Sequence, residues 1–557
     1  MTRLSRRALL ISAGSLAGAG AVAGAVAKSR RRRPGAPPPR PSAAPPASGA
    51  TAATPAHTPL PRGGRLSIAA PASFDFDTFD AARSGEPSVV ELLGRAHARL
   101  IQWADPAAAV LGPDLAAAWE QPDPLTLVLR LDPRARWHDV PPLAGRPVTA
   151  AEVQAHLARV IAIARAGDAP RAHRSAALLD VARVETPGPA AVRLALDRPS
   201  PLLLPALAGE FALVQPPDVL EGPSAPSDPL DPSLLAGCGP WVFAGFDGPA
   251  ARFRAHASGH RSPLLDELAI SPPLNVLERY RAGELDEFPA IDPRDAAAAR
   301  ALPGIQELPR YHRELVLSTF TIAGPPWSDP RLVEAVSAAL NRGWLTQALF
   351  AGRASPSGPL PPCCTAALQP SGLAPFPGYA ADPAADARAA RERWEAAGGP
   401  SLGTVTVDIP SIFDPRYAAS AIVITRLNDV LGPQFRPAIE TYTTIARRVQ
   451  EGAYGNGRAA FWFGWSPPLP SPDPRELLLH LYGHALALAE RSNLLAADPA
   501  DSAAFAGLQQ AILRGGFRGV VPWVQQVGET FRRPGTVGPV PSPFWDGYRD
   551  VQRYRLP

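Results

Sequence analysis

From Arg65 onward the sequence alternates strand-like runs with helix-like stretches, divided throughout by proline and glycine, and no segment repeats another. Residues 65–70, 125–131, 192–196, 405–409, 459–465 and 520–527 have strand character. Residues 86–103, 384–397 and 502–513 have helical spacing. A further helix is expected from Thr149 through Ile163, opened by a capping box with Thr149 as N-cap and Glu152 three residues on. Asp329, after Pro325-Pro326, is expected to cap another, ending near Arg342. This alternation predicts an α/β protein, and 557 residues are enough for more than one lobe.

The formal net charge of +4 sits in one place. Residues 1–64 hold nine arginines, Lys28 and no acidic residue, whereas the remainder carries 45 basic against 51 acidic side chains. A body with that balance has no general attraction for nucleic acid or anionic lipid, so no nucleic-acid partner is expected. Arg6-Arg7 open an Ala/Gly-rich apolar run that closes on Ala25-Val26-Ala27, so residues 1–27 read as a twin-arginine export signal with a cleavage motif. Ala and Gly contribute little transfer energy, which makes the run a poor permanent spanning helix. Lys28 and Arg30 to Arg33 follow at once and resist translocation, so two arrangements stay open: cleavage after Ala27, or an uncleaved membrane tether. Ten prolines among residues 34–64 make 28–64 an extended, disordered linker, with the folded body beginning near Arg65 outside the cytoplasm.

Cys238, Cys363 and Cys364 are too few for a disulfide framework and contain no C-x-x-C; they read as small buried apolar groups, with a strained Cys363–Cys364 bridge left open. His480 and His484 stand four apart after a helical run and could share a face, but no third ligand accompanies them, so no metal is expected. His256 and His260 share that spacing in a Gly-containing segment read as surface. No G-x-S-x-G, H-E-x-x-H, Walker A or G-x-G-x-x-G sequence occurs, so neither catalysis nor a cofactor is expected.

Several segments, taken in order, resemble the family 5 extracytoplasmic solute-binding proteins of ABC importers, the peptide-, nickel- and oligosaccharide-binding group. They are Leu115 to Glu120, the strand at 125–131, Arg136-Trp137-His138-Asp139 and Pro147 to Val153. Gly237-Cys238-Gly239-Pro240-Trp241, Gly283-Glu284-Leu285-Asp286 and Trp327 to Arg342 follow, then Phe463-Gly464-Trp465, Asp473-Pro474 and Val521-Pro522-Trp523. The resemblance implies a two-lobed periplasmic-binding-protein-like fold of type II. Lobe I would span 65–320 with an extra subdomain at about 105–195, lobe II 321–519, and 520–557 would return to lobe I. It further implies a monomer that closes over an organic ligand and hands it to permease subunits of an ABC transporter.

The same resemblance nominates site residues. Glu86, Ser88 and Val90 match a stretch that lines the cleft, and Trp462 and Trp465 match positions at its lobe II wall. In peptide-binding members an aspartate three residues after the tryptophan pairs with the peptide amino group; Pro468 stands there. Where some members carry an arginine for a ligand carboxylate, this chain has Trp462. Exchanging an ion-pairing Asp and Arg for Pro and Trp favours a ligand with apolar or stackable surface over a zwitterionic peptide. Tyr417 and Tyr454 are further lobe II candidates. Arg261 in place of an aromatic-Gly turn, and Thr321 in place of a frequent Asn, keep a non-transport sensor or degenerate receptor on the same fold as the alternative.

Overall fold

Two separate sheets take up the strand-like runs. The computed structural model describes residues 62–556 except 71–75, 85–86, 106–108, 167–176, 210–211, 222–224, 291–292, 321, 323, 412, 451–453, 455–458, 467–468, 470, 484–485 and 540–555. The expected signal and nearly all of the expected linker thus lie outside the described residues.

The first sheet runs Trp241–Asp247, Ala250–Ala255, Glu267–Ser271, Arg65–Ala69, Glu287–Pro289, Thr530–Arg532, Gln306–Glu307. Arg65–Ala69 lies parallel to Glu267–Ser271, with Ile68 opposite Ile270. Leu66 and Ile68 alternate into a core shared with Leu92, Leu93 and Phe253, the period-two burial expected of a strand. A four-stranded antiparallel sheet, ordered Ala116–Asp123, Thr126–Leu131, Ala191–Leu196, Val181–Gly188, forms the subdomain. The helix Ala150–Ala166 buries Val153, Leu157, Val160 and Ile161 against it. The capping box is present: Glu152 Oε2 accepts from the Thr149 N–H at 2.8 Å, and the Glu152 N–H points back to Thr149 Oγ1 at 3.4 Å.

The second sheet runs Ala354–Pro356, Val520–Gly528, Tyr311–Phe320, Phe461–Trp465, Val405–Pro410, Phe435–Glu440. Tyr311–Phe320 and Val520–Gly528 are antiparallel neighbours in its middle. This moves the lobe boundaries expected at 320 and 520. Both long strands belong to lobe II, because their backbone groups are satisfied by its ladder. The return to lobe I begins only at Thr530.

Two helices also differ from expectation. The one at 86–103 stops at Ala96, and Ala98–Arg99 and Ile101–Asp105 continue as short strands. The helix capped by Asp329 ends at Ala339, not near Arg342. Asn341 takes a non-helical backbone, accepts from the Trp344 N–H at 2.9 Å and starts a new helix, Arg342–Phe350. A side chain that satisfies an orphan N–H in this way competes with continuing the helix.

The Gly237-Cys238-Gly239 turn packs against the end of helix Pro87–Ala96. A Cβ on Gly239 would come within 2.7 Å of the Arg95 carbonyl oxygen, so only glycine permits the approach. His138 and His256 both donate to the Gly239 carbonyl, at 3.1 and 3.0 Å. His256 and His260 are therefore buried rather than on the surface; His260 pairs with Asp114 at 3.0 Å. Linking a turn to a neighbouring strand needs polar side chains that can be buried with partners, which explains why this pair departs from the expected exposure. All three cysteines are free, with Cys238 and Cys364 buried.

Candidate ligand-binding site

The strand Phe461–Trp465 lies in the lobe II sheet between Tyr311–Phe320 and Val405–Pro410. Its side chains alternate: Phe461, Phe463 and Trp465 join one core of the sheet, and Trp462 joins the core on the other face with Leu315, Leu317 and Tyr454. Trp462 is 3% exposed, so it is a core side chain; its indole N–H has no hydrogen-bond partner. Trp465 is half-buried at the strand's end. Phe413 and Tyr417 meet it edge-to-face, with ring centroids 5.0 and 5.7 Å away, an arrangement favoured by the ring quadrupoles. Gln526 Nε2 donates to the Tyr417 hydroxyl at 2.7 Å and fixes that ring from the neighbouring long strand. The Trp465 ring is thus packed against Phe413 and Tyr417, the second of which Gln526 fixes.

Behind the sheet, Asp408 is buried and accepts from the Tyr454 hydroxyl at 3.1 Å and from Arg448, whose other amine reaches Glu440 at 2.8 Å. Burial pushes the Tyr454 hydroxyl well above the ordinary tyrosine range, with the neighbouring Asp408 charge adding to it. Tyr454 and Tyr417 are both buried and held by protein partners. Both faces of this part of the lobe II sheet are therefore fixed by their own side chains.

Of the lobe I nominees, Ser88 and Val90 fall in the first turn of helix Pro87–Ala96. Glu86 and Pro468 lie outside the described residues. Trp462 and Trp465 share a strand but point to opposite faces. His480 is on helix Pro474–Tyr482 and His484 lies outside the described residues. No group of three or more His, Cys, Asp or Glu side chains able to hold a metal occurs among the described residues.

Away from these residues, a cavity of about 450 Å³ lies between the lobes. Gln121, Pro124, Leu127, Pro199, Ser200, Pro201, Leu203 and Leu204 line it from the first lobe, and Arg475, Leu495 and Ala496 from the second. Arg475 is held by Asp473, with Nη2 2.6 Å from Oδ2, and points the same amine toward the Pro201 carbonyl at 3.5 Å. The lobes thus touch at the rim as well as at the hinge. Sequence reading missed this cavity because its walls come from segments some 270 residues apart that carry no motif.

The sequence profile of the bacterial extracellular solute-binding proteins, family 5 (middle region), matches residues 110–483. The chain belongs to that family. Over 184 residues it is 30% identical to "Probable di/tripeptide-binding protein 5" of Pseudomonas aeruginosa, covering 31% of this chain and 34% of that protein. The matched stretches thus span a third to under a half of the curated relatives' own length. Among solved structures, the chain resembles the ABC transporter-associated periplasmic binding protein DppA from Helicobacter pylori in complex with peptide STSA. The TM-score is 0.71 at 17% identity, covering 89% of this chain and 98% of that one. It also resembles the binding protein AgaA of A. tumefaciens R10 in complex with agropinic acid, with a TM-score of 0.69 at 19% identity, covering 89% and 99%. At these identities the likeness speaks for the fold: the family 5 chain is two-lobed, as its sheets indicate. No helix among the described residues is long and apolar enough to cross a membrane.

Proposed function

We propose that this chain is an extracytoplasmic receptor that captures an organic ligand between its lobes and delivers it to the permease subunits of an ABC importer. The observation that carries the reading is the join between the lobes. Among the described residues two connections cross it: residues 308–310, between Gln306–Glu307 and Tyr311–Phe320, and Glu529, between Val520–Gly528 and Thr530–Arg532. Two lobes on so narrow a joint close when a ligand touches both of them, because only contacts made in the closed state shift the equilibrium toward it. Such a receptor binds and releases its ligand unchanged.

In this reading Trp465 supplies a stacking face from lobe II, and Glu86, Ser88 and Val90 supply contacts from lobe I. Trp462 backs the strand. With Pro468 where peptide-binding relatives place an anchoring aspartate, the ligand is held by shape and stacking rather than by pairing of a free α-ammonium. The related structures carry both a peptide and agropinic acid, so the fold accommodates ligands beyond peptides. Residues 1–27 direct export by the twin-arginine route, and residues 28–64 space the body from the membrane.

Native mass spectrometry of the full chain, purified gently from an exporting host, tests the proposal. The expected result is a bound small-molecule mass that is lost on partial unfolding. Saturation at ~1000 times the dissociation constant stabilises the native state by about 4 kcal/mol, so that ligand, added back, raises the melting temperature. Trp465→Ala is expected to weaken its binding at least tenfold by titration calorimetry, the scale of a lost aromatic contact of about 1.5 kcal/mol. A free peptide as the bound mass would overturn the stacking reading. Unchanged affinity in the Trp465→Ala chain would remove Trp465 from the site.

A further inference from the structure

Where the two connections cross, one carboxylate is enclosed by arginines from both lobes. Glu529 is the single residue between the last strand of the lobe II sheet and Thr530–Arg532 of the lobe I sheet, and it is 1% exposed. Oε1 takes the Arg300 guanidinium, from helix Pro293–Arg300 of lobe I. Oε2 takes Arg353, which precedes strand Ala354–Pro356 of lobe II, at 2.5 Å. Arg310, on the other crossing connection, reaches Oε1 through Nε at 3.2 Å.

The backbone repeats the pattern. The Glu529 carbonyl accepts from the Ala290 N–H of lobe I at 2.8 Å, the Val527 N–H donates to the Arg353 carbonyl at 3.0 Å, and the Leu308 N–H donates to the Thr530 carbonyl at 2.9 Å. Arg300 is fixed further by Glu307, at 2.8 Å from both carboxylate oxygens, and lies over the Phe531 ring at 5.7 Å.

We infer that Glu529 is the common anion of an inter-lobe clamp that sets the resting angle between the lobes. A carboxylate has two oxygens, and here one faces each lobe's arginine. Rotation about any axis that does not pass through Glu529 must lengthen one of the pairs, and a buried charge that loses a partner is strongly disfavoured. The clamp therefore pins the pivot at Glu529 and narrows the range of angles the ligand-free chain visits. A ligand then meets lobes already near register and spends less of its binding free energy on ordering them. This inference rests on the reading of the two lobes as a closing pair.

The test is pulsed dipolar EPR on the full chain without added ligand. Spin labels go on Arg198→Cys of lobe I and Leu488→Cys of lobe II, in a Cys363→Ala background that leaves only the buried Cys238 and Cys364. Glu529→Gln keeps the shape of the side chain and removes its charge. The expected result is an inter-lobe distance distribution about twice as wide as that of the unsubstituted hinge, with the circular dichroism spectrum retained. Arg353→Met, which removes only the lobe II partner of Glu529, an arginine that is 17% exposed, is expected to broaden it as well, and it carries the test if Glu529→Gln fails to fold. Distributions of unchanged width in folded Glu529→Gln or in Arg353→Met would overturn the clamp. The receptor reading fails separately, if no bound or added ligand ever shifts the distribution of the unsubstituted hinge.

Discussion

Arg342 shows what a single residue can hold together here and how little of that is visible in its neighbours along the chain. It is fully buried, and among the described residues no carboxylate hydrogen-bonds to it, Asp386 acting only from a distance. Nη1 donates to Ser337 Oγ at 2.6 Å and Nη2 to the Pro522 carbonyl at 2.8 Å, which ties the start of helix Arg342–Phe350 to the sheet. The guanidinium lies 4.1 Å from the centroid of Tyr379, 4.8 Å from Trp523 and 5.1 Å from Phe517. Burial lowers its pKa, and the ring faces and carbonyl oxygens stand in for a counter-ion. Arg342→Met would leave the Pro522 oxygen without its donor and remove the ring contacts, so urea unfolding should show a loss of about 2–4 kcal/mol. Arg342→Lys should recover only a minor part, because an ammonium cannot reach both acceptors while lying flat against the rings. An unchanged midpoint for Arg342→Met would contradict this account. From the sequence, Arg342 is legible only as the end of a family signature, since its partners come from 379, 517 and 523. Trp462 and Trp465 both match family positions, and strand alternation, which a motif match does not weigh, sends their side chains to opposite faces of the sheet.

At the scale of elements, lobe II uses one device three times. Asp329-Pro330, Asp382-Pro383 and Asp473-Pro474 each place aspartate at the N-cap and proline at the first helical position. The Asp carboxylate accepts from an orphan N–H, as with Ala384 at 2.9 Å from Asp382, and proline costs nothing where no N–H is needed. Asp382 is the cleanest case, since Arg388 comes only to 3.9 Å from it, whereas Arg331 and Arg475 stand 2.6 Å from Asp329 and Asp473. Asp382→Ala should therefore destabilise the chain by about 1 kcal/mol in equilibrium unfolding, and Asp382→Asn by less. Equal losses from the two would mean that charge, not capping, is what Asp382 supplies. Such local chemistry is why helix starts at 149, 329, 384 and 502 were readable in advance. Helix ends were less so: Ala339 and Ala96 end helices because Asn341 and the Gly237–Gly239 turn intervene, and the second of those is 140 residues away. The edges of the lobes were unreadable for a related reason. Whether 311–320 pairs with lobe I or lobe II is decided by the 520–528 strand at the far end of the chain, not by anything within 311–320.

Across the whole molecule, the buried histidines lie unevenly. His97, His138, His156 and His256 are all in lobe I, and burial lowers the pKa of each. For His97 burial brings it to about 4 and for His156 to about 3. Each is held as a neutral ring: His97 donates to the Leu234 carbonyl at 3.2 Å, and His156 Nδ1 accepts from the Gln215 N–H at 3.3 Å. A depressed histidine pKa means that the unfolded chain binds the proton more readily than the folded one. Its contribution to stability is whole above the unfolded pKa of about 6.5 and is lost as pH falls from there toward the folded value. For His97 that loss approaches the order of 3 kcal/mol near pH 4, enough to matter against the few kcal/mol per domain that hold most folds. Lobe II has no comparable set among the described residues; His312, half-buried near the hinge, is lowered by burial, and it donates to or accepts from Ser355 Oγ at 3.1 Å. Acid should therefore loosen lobe I before lobe II. Hydrogen-exchange mass spectrometry at pH 7 and near pH 4.5, corrected for the intrinsic pH dependence of exchange, should show protection falling first in the segments around 97, 138, 156 and 256. Segments of the lobe II sheet at 405–410 and 461–465 should keep theirs. Simultaneous loss in both lobes would mean that the joint couples them too tightly for either to open alone, whereas first loss in lobe II would mean that carboxylates held low by an arginine, such as Glu490 beside Arg518, govern acid stability instead.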